Sequence, residues 1–155
     1  MDLLLAVDLG LKTGLALYAQ DGRLRWYRSH NLGTATRLRR AVRNLLDSLP
    51  ELTWLVLEGG GPLAEIWKRE ATRRRIGVRQ INAETWRQQF LYPRQHRTGA
   101  DAKANAVAMA RRVVLWSKAP RPTAMRDDTA EAILIGLWGV IDVGWLPHLP
   151  DLEPG

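Results

Sequence analysis

The chain has 155 residues, enough for one domain with a sizeable core, and 46% of them are hydrophobic. It has no cysteine, which excludes disulfides and thiolate-bound metals and fits a reducing compartment, and no apolar run approaches the ~18 residues of a membrane span. The formal net charge is +7, carried by 19 Arg and 4 Lys against 16 Asp and Glu, a balance that favours an anionic polymer as partner.

Leu3–Leu9 reads as a buried strand, a continuous apolar run with Asp8 near its end. Burying an unpaired carboxylate is costly, so Asp8 calls for a cation or for a hydrogen bond to the turn that follows. Gly10 and Gly14 bracket that turn, and Gly14–Ala19 is predicted as a second strand. Asp21-Gly22 is a hairpin signal leading to a third strand, Leu24–Ser29. Strict alternation puts Leu24, Trp26 and Arg28 on one of its faces and Arg25, Tyr27 and Ser29 on the other. Gly33-Thr34-Ala35-Thr36 opens a helix whose apolar positions, Leu38, Val42, Leu45, Leu46 and Leu49, keep the helical period until Pro50.

Thr53–Glu58 is a second continuous apolar run that ends in a carboxylate, as expected for a strand covered on both faces. Gly59-Gly60-Gly61-Pro62 reads as a loop, Leu63–Arg75 as a basic helix and Gly77–Ile81 as a short fifth strand. Ala83–Leu91 fits one or two helical turns and Tyr92–Thr98 a polar loop. Helices are expected over Ala100–Ser117 and Asp128–Val143, separated by Ala119-Pro120-Arg121-Pro122. The fold class is therefore α/β, with a mixed five-stranded sheet flanked by helices. The domain spans 1–146, and 147–155 is expected as a loose C-terminal tail.

Four carboxylates stand out: Asp8, Glu58, Asp128 and Glu131. The last two lie three apart on one helix face. They also match a capping box with Asp128 as N-cap, although Asp127 caps equally well and is the alternative ligand if the register slips by one. Converging carboxylates repel unless cations hold them. An all-oxygen ligand set favours Mg²⁺, with Mn²⁺ as a substitute, and a pair of such ions suits phosphodiester hydrolysis. A basic protein with a carboxylate cluster is a sensible nuclease, its acids holding metal and its arginines the phosphate backbone.

The ordered set of motifs resembles the RuvC family of Holliday-junction resolvases, within the RNase H-like superfamily. Ala6-Val7-Asp8-Leu9-Gly10 with Gly14-Leu15-Ala16 is similar to the first motif, and Val56-Leu57-Glu58 to the strand-end glutamate. Lys103 falls in the penultimate helix, and Asp128-Thr129-Ala130-Glu131-Ala132 resembles the family's acidic helix, with Glu in its second acidic slot. The resemblance covers about residues 3–143. It implies an RNase H-like sheet, a two-fold homodimer and the resolution of four-way DNA junctions in the cytoplasm, at the nucleoid in a bacterium. It also implies two Mg²⁺ ions bridged by Asp8, completed by Glu58, Asp128 and Glu131, with Lys103 steadying the attacking water or the scissile phosphate. One departure is Gly59-Gly60-Gly61-Pro62, where bacterial relatives carry an aromatic that helps to open the junction.

For the nucleic acid itself, the densest basic patch is Lys68, Arg69, Arg73, Arg74 and Arg75, a phosphate track or else a solvated face. Lys12 in the first turn and Arg94 and Arg97 in the polar loop complete the expected contacts, with His96 weighed there as a proton shuttle. Trp67, Trp138 and Trp145 read as packing residues, and Trp86-Arg87 as a core anchor with a surface arginine. Two other readings stay open. One is an RNA-processing nuclease of the YqgF type, whose usual Lys-Arg pair is absent at Lys12-Thr13. The other is a non-catalytic DNA-binding module, which would keep repelling carboxylates with nothing to hold.

Overall fold

The computed structural model describes residues 1–92 and 97–152. Five strands form one sheet: β1 (Leu3–Asp8), β2 (Lys12–Ala19), β3 (Leu24–Asn31), β4 (Leu52–Glu58) and β5 (Gly77–Ile81). Five helices accompany them: α1 (Ala35–Asp47), α2 (Gly61–Arg73), α3 (Ala83–Phe90), α4 (Gly99–Ser117) and α5 (Asp127–Asp142). The spatial order is β3-β2-β1-β4-β5. β1, β2 and β3 are antiparallel neighbours, whereas β4 runs parallel to both β1 and β5. The expected mixed α/β sheet is the one observed. None of the described helices is long and apolar enough to cross a membrane.

The continuous apolar runs of β1 and β4 have a simple cause. The sheet carries a core on each face, so both sides of its central strands need apolar residues. One core joins Leu4, Ala6, Ala16, Tyr18 and Val56 to α3, α4 and α5, and the other joins Leu5, Val7, Leu15, Leu55 and Leu57 to α1 and α2. α1 needs one apolar stripe only, Leu38, Val42 and Leu46, and Thr34 caps it by accepting from the Arg37 amide.

α5 is apolar nearly all round because sheet lies on one side and α4 on the other. Glycines let it approach closely. A Cβ on Gly136 would fall 2.2 Å from the Tyr18 ring, and one on Gly139 would fall 2.8 Å from the Val56 methyl. The buried Tyr18 hydroxyl donates to the Ile133 carbonyl and ties helix to sheet.

Several boundaries differ from expectation. β2 starts two residues early, at Lys12. α2 starts at Gly61, inside the expected loop, because proline is tolerated in a first helical turn. The alternation expected for β3 breaks. Leu17 faces Trp26 but Tyr18 faces Leu24, so Arg25 is the extra residue of a bulge. Leu24 therefore joins Tyr27 in the α5-side core, while Trp26 packs on the opposite face. In the segment expected as a tail, residues 147–152 form no helix or strand, and Leu152 packs on the core.

Gly136→Ala tests the closeness of α5. The added methyl overlaps an aromatic ring held by its own hydrogen bond, so overpacking should cost about 2–3 kcal/mol. Urea unfolding should show a lower midpoint with an unchanged slope, the mark of a stability change alone.

Candidate metal centre

The parallel pairing of β1 and β4 sets Asp8 directly beside Glu58 at the strand ends. The Leu9 amide donates to the Glu58 carbonyl at 3.2 Å and locks the two ends together. The third acid arrives on α5. Gly14 faces Asp8 across β1 and β2, and a Cβ at Gly14 would stand 2.0 Å from the Asp128 carbonyl oxygen. Only a glycine lets the first turn of α5 lie against the sheet there, and one turn further along Glu131 meets the other two acids. Oxygens of Asp8, Glu58 and Glu131 all lie within 4.8 Å of one another.

Three carboxylates so close, in a partly buried place, cannot all remain charged without a cation. Burial, hydrogen bonding to Glu58 and the charges of Glu131 and Glu58 push Asp8 up from 3.8 to about 10. Glu131 is also raised, by burial and by the charge of Glu58, while a hydrogen bond from Asp8 and the cations Arg87 and Lys103 pull it back. A proton on Asp8 thus takes the place that a metal ion would fill. The donor set is all oxygen, close enough to shut on one divalent ion, and it fits Mg²⁺ or Mn²⁺.

Asp128 is not in this group. Its carboxylate accepts from the Ser29 hydroxyl at 2.5 Å, one strand beyond Gly14. The capping box is not formed either. α5 begins a residue earlier than expected, with Arg126 as a cap that makes no side-chain bond, and Asp127 is exposed at the first helical position. Lys103 lies on an exposed face of α4, near enough to act on the charge of Glu131.

The expected basic contacts divide into two kinds. Arg74 donates to Glu70 at 2.8 Å and to Asp47 at 2.6 Å, joining α1 to α2, and Arg73 and Arg43 also turn to the buried Glu70. Arg74 is therefore a structural cation rather than part of an open phosphate track. Lys68 bonds Glu65 and Gln80, and the Gln80 amide donates to the Gly59 carbonyl just beyond Glu58. Lys12, Arg69 and Arg97 are exposed. Arg94 and His96 lie outside the described residues. Trp67 is buried, as expected of a packing residue.

Arg87 was expected at the surface and is not there. Its side chain is 21% exposed, with Nη2 3.7 Å from a Glu131 oxygen and the guanidinium 5.3 Å from the Trp86 ring centroid. Its buried Nε has no hydrogen-bond partner among the described residues. Trp86 is buried in the core that α5 shares, Arg87 follows it in the chain, and no sequence pattern marks the inward turn.

No protein-family model and no curated protein matches the sequence. Solved structures do match in shape. Thermus thermophilus RuvC in complex with a Holliday junction superposes with a TM-score of 0.65 at 15% identity, covering 92% of this chain and 96% of that one. A second Thermus thermophilus RuvC structure gives 0.64 at 18% identity with the same coverage. The yeast mitochondrial Holliday junction resolvase Ydc2 gives 0.56 at 13% identity, covering 88% and 78%. The chain has the RuvC-type, RNase H-like fold across nearly its whole length.

The raised Asp8 makes metal-free stability depend on pH. The folded protein keeps a proton that the unfolded chain releases near 3.8, so this contribution is full below that value and is lost as pH rises towards about 10. In EDTA the melting temperature should fall between pH 5 and pH 9, and Mg²⁺ or Mn²⁺ should restore it. Asp8→Asn should flatten the curve and melt several degrees higher than wild type at pH 8, at roughly 2–4 °C per kcal/mol. Scanning fluorimetry across this range checks it. A wild-type curve flat in EDTA and unmoved by metal would remove the cation site.

Proposed function

We propose that the protein is a metal-dependent endonuclease that cuts branched DNA, with the four-way junction as its substrate. The observation that carries this reading is the convergence of Asp8, Glu58 and Glu131, their oxygens within 4.8 Å, in a chain of net charge +7. The full-length likeness in shape to junction-resolving enzymes supports it.

Asp8, Glu58 and Glu131 would hold the first divalent ion, Mg²⁺ with Mn²⁺ as its substitute. Asp128 stands one helical turn away and would join the site of a second ion by giving up its bond to Ser29. Metal bound here supplies an activated water and offsets charge at the scissile phosphate. The remaining work falls to side chains. Arg87, with Nη2 3.7 Å from a Glu131 oxygen, would hold that carboxylate in place at the centre. Lys103 on the facing helix adds a second cation for the attacking water or the phosphate. Arg69, Lys12 and Arg97 remain exposed for backbone contacts. Two symmetric cuts in one junction call for two copies of this site, so the working form is a homodimer. It acts in the cytoplasm, where the cysteine-free composition is at home.

Asp8→Asn removes the central charge with little change of shape. Cleavage should drop by at least about a thousandfold, the scale expected when metal-centred catalysis is lost. Junction binding should survive, because arginines hold the backbone. Glu58→Gln and Glu131→Gln should behave alike, and Asp128→Asn somewhat more mildly. The assay compares four-way junction, linear duplex and structured RNA in Mg²⁺ and in EDTA. Asp8→Asn protein that cuts junctions near the wild-type rate would sink the assignment, and selective cutting of structured RNA would move it to RNA processing.

Light scattering with and without junction DNA checks the assembly. Two protomers are expected on each junction, and one protomer per junction would contradict paired incision.

A further inference from the structure

A second basic feature lies away from the acidic centre. A cleft of about 460 Å³ opens between the C-terminal half of α4 and the segment that follows it. Ala108, Val114, Leu115 and Pro122 make its apolar floor, and Arg111, Arg112 and Arg121 stand around it. All three arginines are exposed, and none makes an ion pair among the described residues. Among the described residues, no acid lines the cleft. Several other arginines of this protein have partners: Arg74 and Arg43 serve Glu70, Arg79 serves Asp142 and Arg23 serves a carbonyl.

The cleft is held in shape from β3. Arg23 donates to the Trp116 carbonyl and stacks on its ring at 4.3 Å, and the Leu24 amide donates to the Ser117 hydroxyl at 3.0 Å. The Tyr27 hydroxyl donates to the Pro120 carbonyl, next to Arg121. Arg111 is near enough to Tyr27 to lower its phenol pKa, against the upward push of burial. These bonds brace the backbone that carries the three cations.

Position relates the cleft to the acidic centre. Ser29, Gly14 and Asp8 lie in one row across β3, β2 and β1, and Tyr27 is two residues back along β3. At ~4.8 Å between strands and ~3.4 Å per residue, Tyr27 lies roughly 12 Å from Asp8, and the cleft begins beyond it.

We propose that this cleft is a distal contact for the DNA backbone, in which Arg111, Arg112 and Arg121 hold the phosphates of one duplex arm leading away from the cut. The inference rests on the nuclease reading for its substrate. Guanidinium groups take phosphate oxygens in bidentate fashion, and the apolar floor suits sugar faces. A rise of ~3.4 Å per nucleotide puts these phosphates about four to six nucleotides from the scissile bond.

The experiment titrates a fluorescent four-way junction at several salt concentrations with wild type and with the triple variant Arg111→Gln, Arg112→Gln, Arg121→Gln. Each lost phosphate contact should lower the slope of log K against log salt by about 0.9, so a fall of roughly two to three is expected. In cleavage assays the loss should appear in KM rather than in kcat. Ethylation interference should lose sensitivity only at the phosphates four to six nucleotides from the cut. The single variant Arg121→Gln, on the loop, should give about a third of the change and guards against misfolding of the triple. An unchanged slope in a folded triple variant overturns the distal contact and leaves the nuclease reading intact. Wild type that binds DNA but cuts nothing in Mg²⁺ or Mn²⁺ overturns the nuclease reading, while the slopes still decide the cleft. Wild type that binds no DNA overturns both.

Discussion

Like-charge repulsion among three carboxylates is the constraint around which this molecule is arranged. Asp8 and Glu58 are side by side because β1 and β4 pair in parallel register, and Glu131 is delivered by a helix pressed against the same sheet. Packing forces set the backbone first, and the carboxylates then occupy their places whether or not a cation is present. In the metal-free protein a proton on Asp8 relieves the repulsion. The three acids are held together at some cost to stability, a cost that a bound cation would relieve.

The device that permits this is the close approach of α5. Gly14 on the sheet and Gly136 and Gly139 on the helix remove the Cβ atoms that would hold the two apart. The helix is then buried on all sides, so its register against β1 and β2 is set by tight apolar packing and by the Tyr18 bond to Ile133. A shift of one residue in α5 would carry Glu131 away from Asp8. The core therefore acts as the positioning element of the acidic centre, and its glycines set the geometry of that centre as well as the stability of the fold.

The arginines divide by what they face. Those between helices neutralise buried acid, as Arg74, Arg73 and Arg43 do for Glu70, and these explain part of a sequence patch that looks like a phosphate track. Others brace the frame through carbonyls and aromatic rings, as Arg23 and Arg79 do. Among the described residues, those without an acid partner include Arg111, Arg112 and Arg121 around the cleft of α4 and Arg39 and Arg69 between α1 and α2. Net charge is a statement about the whole surface, and only the partners of each guanidinium tell a structural cation from one available to a ligand.

The sequence by itself determined the element order and the mixed sheet, and it named the three converging acids together with a fourth, Asp128. Apolar periodicity and strand-end carboxylates are local properties, written in consecutive residues such as Leu3–Asp8 and Thr53–Glu58. Asp128 and Glu131 were legible only as a pair on one helix face. The chain does not say which of them turns to the sheet, because that depends on where α5 starts and how closely Gly14 lets it lie. The bulge at Arg25 likewise follows from how β3 pairs with β2. Arg87 was missed because its direction is decided by the burial of the neighbouring Trp86 against a helix some 45 residues later. Local pattern encodes which faces are apolar. Tertiary packing decides which polar groups are brought within bonding distance, since that distance is set by contacts between residues far apart in the chain.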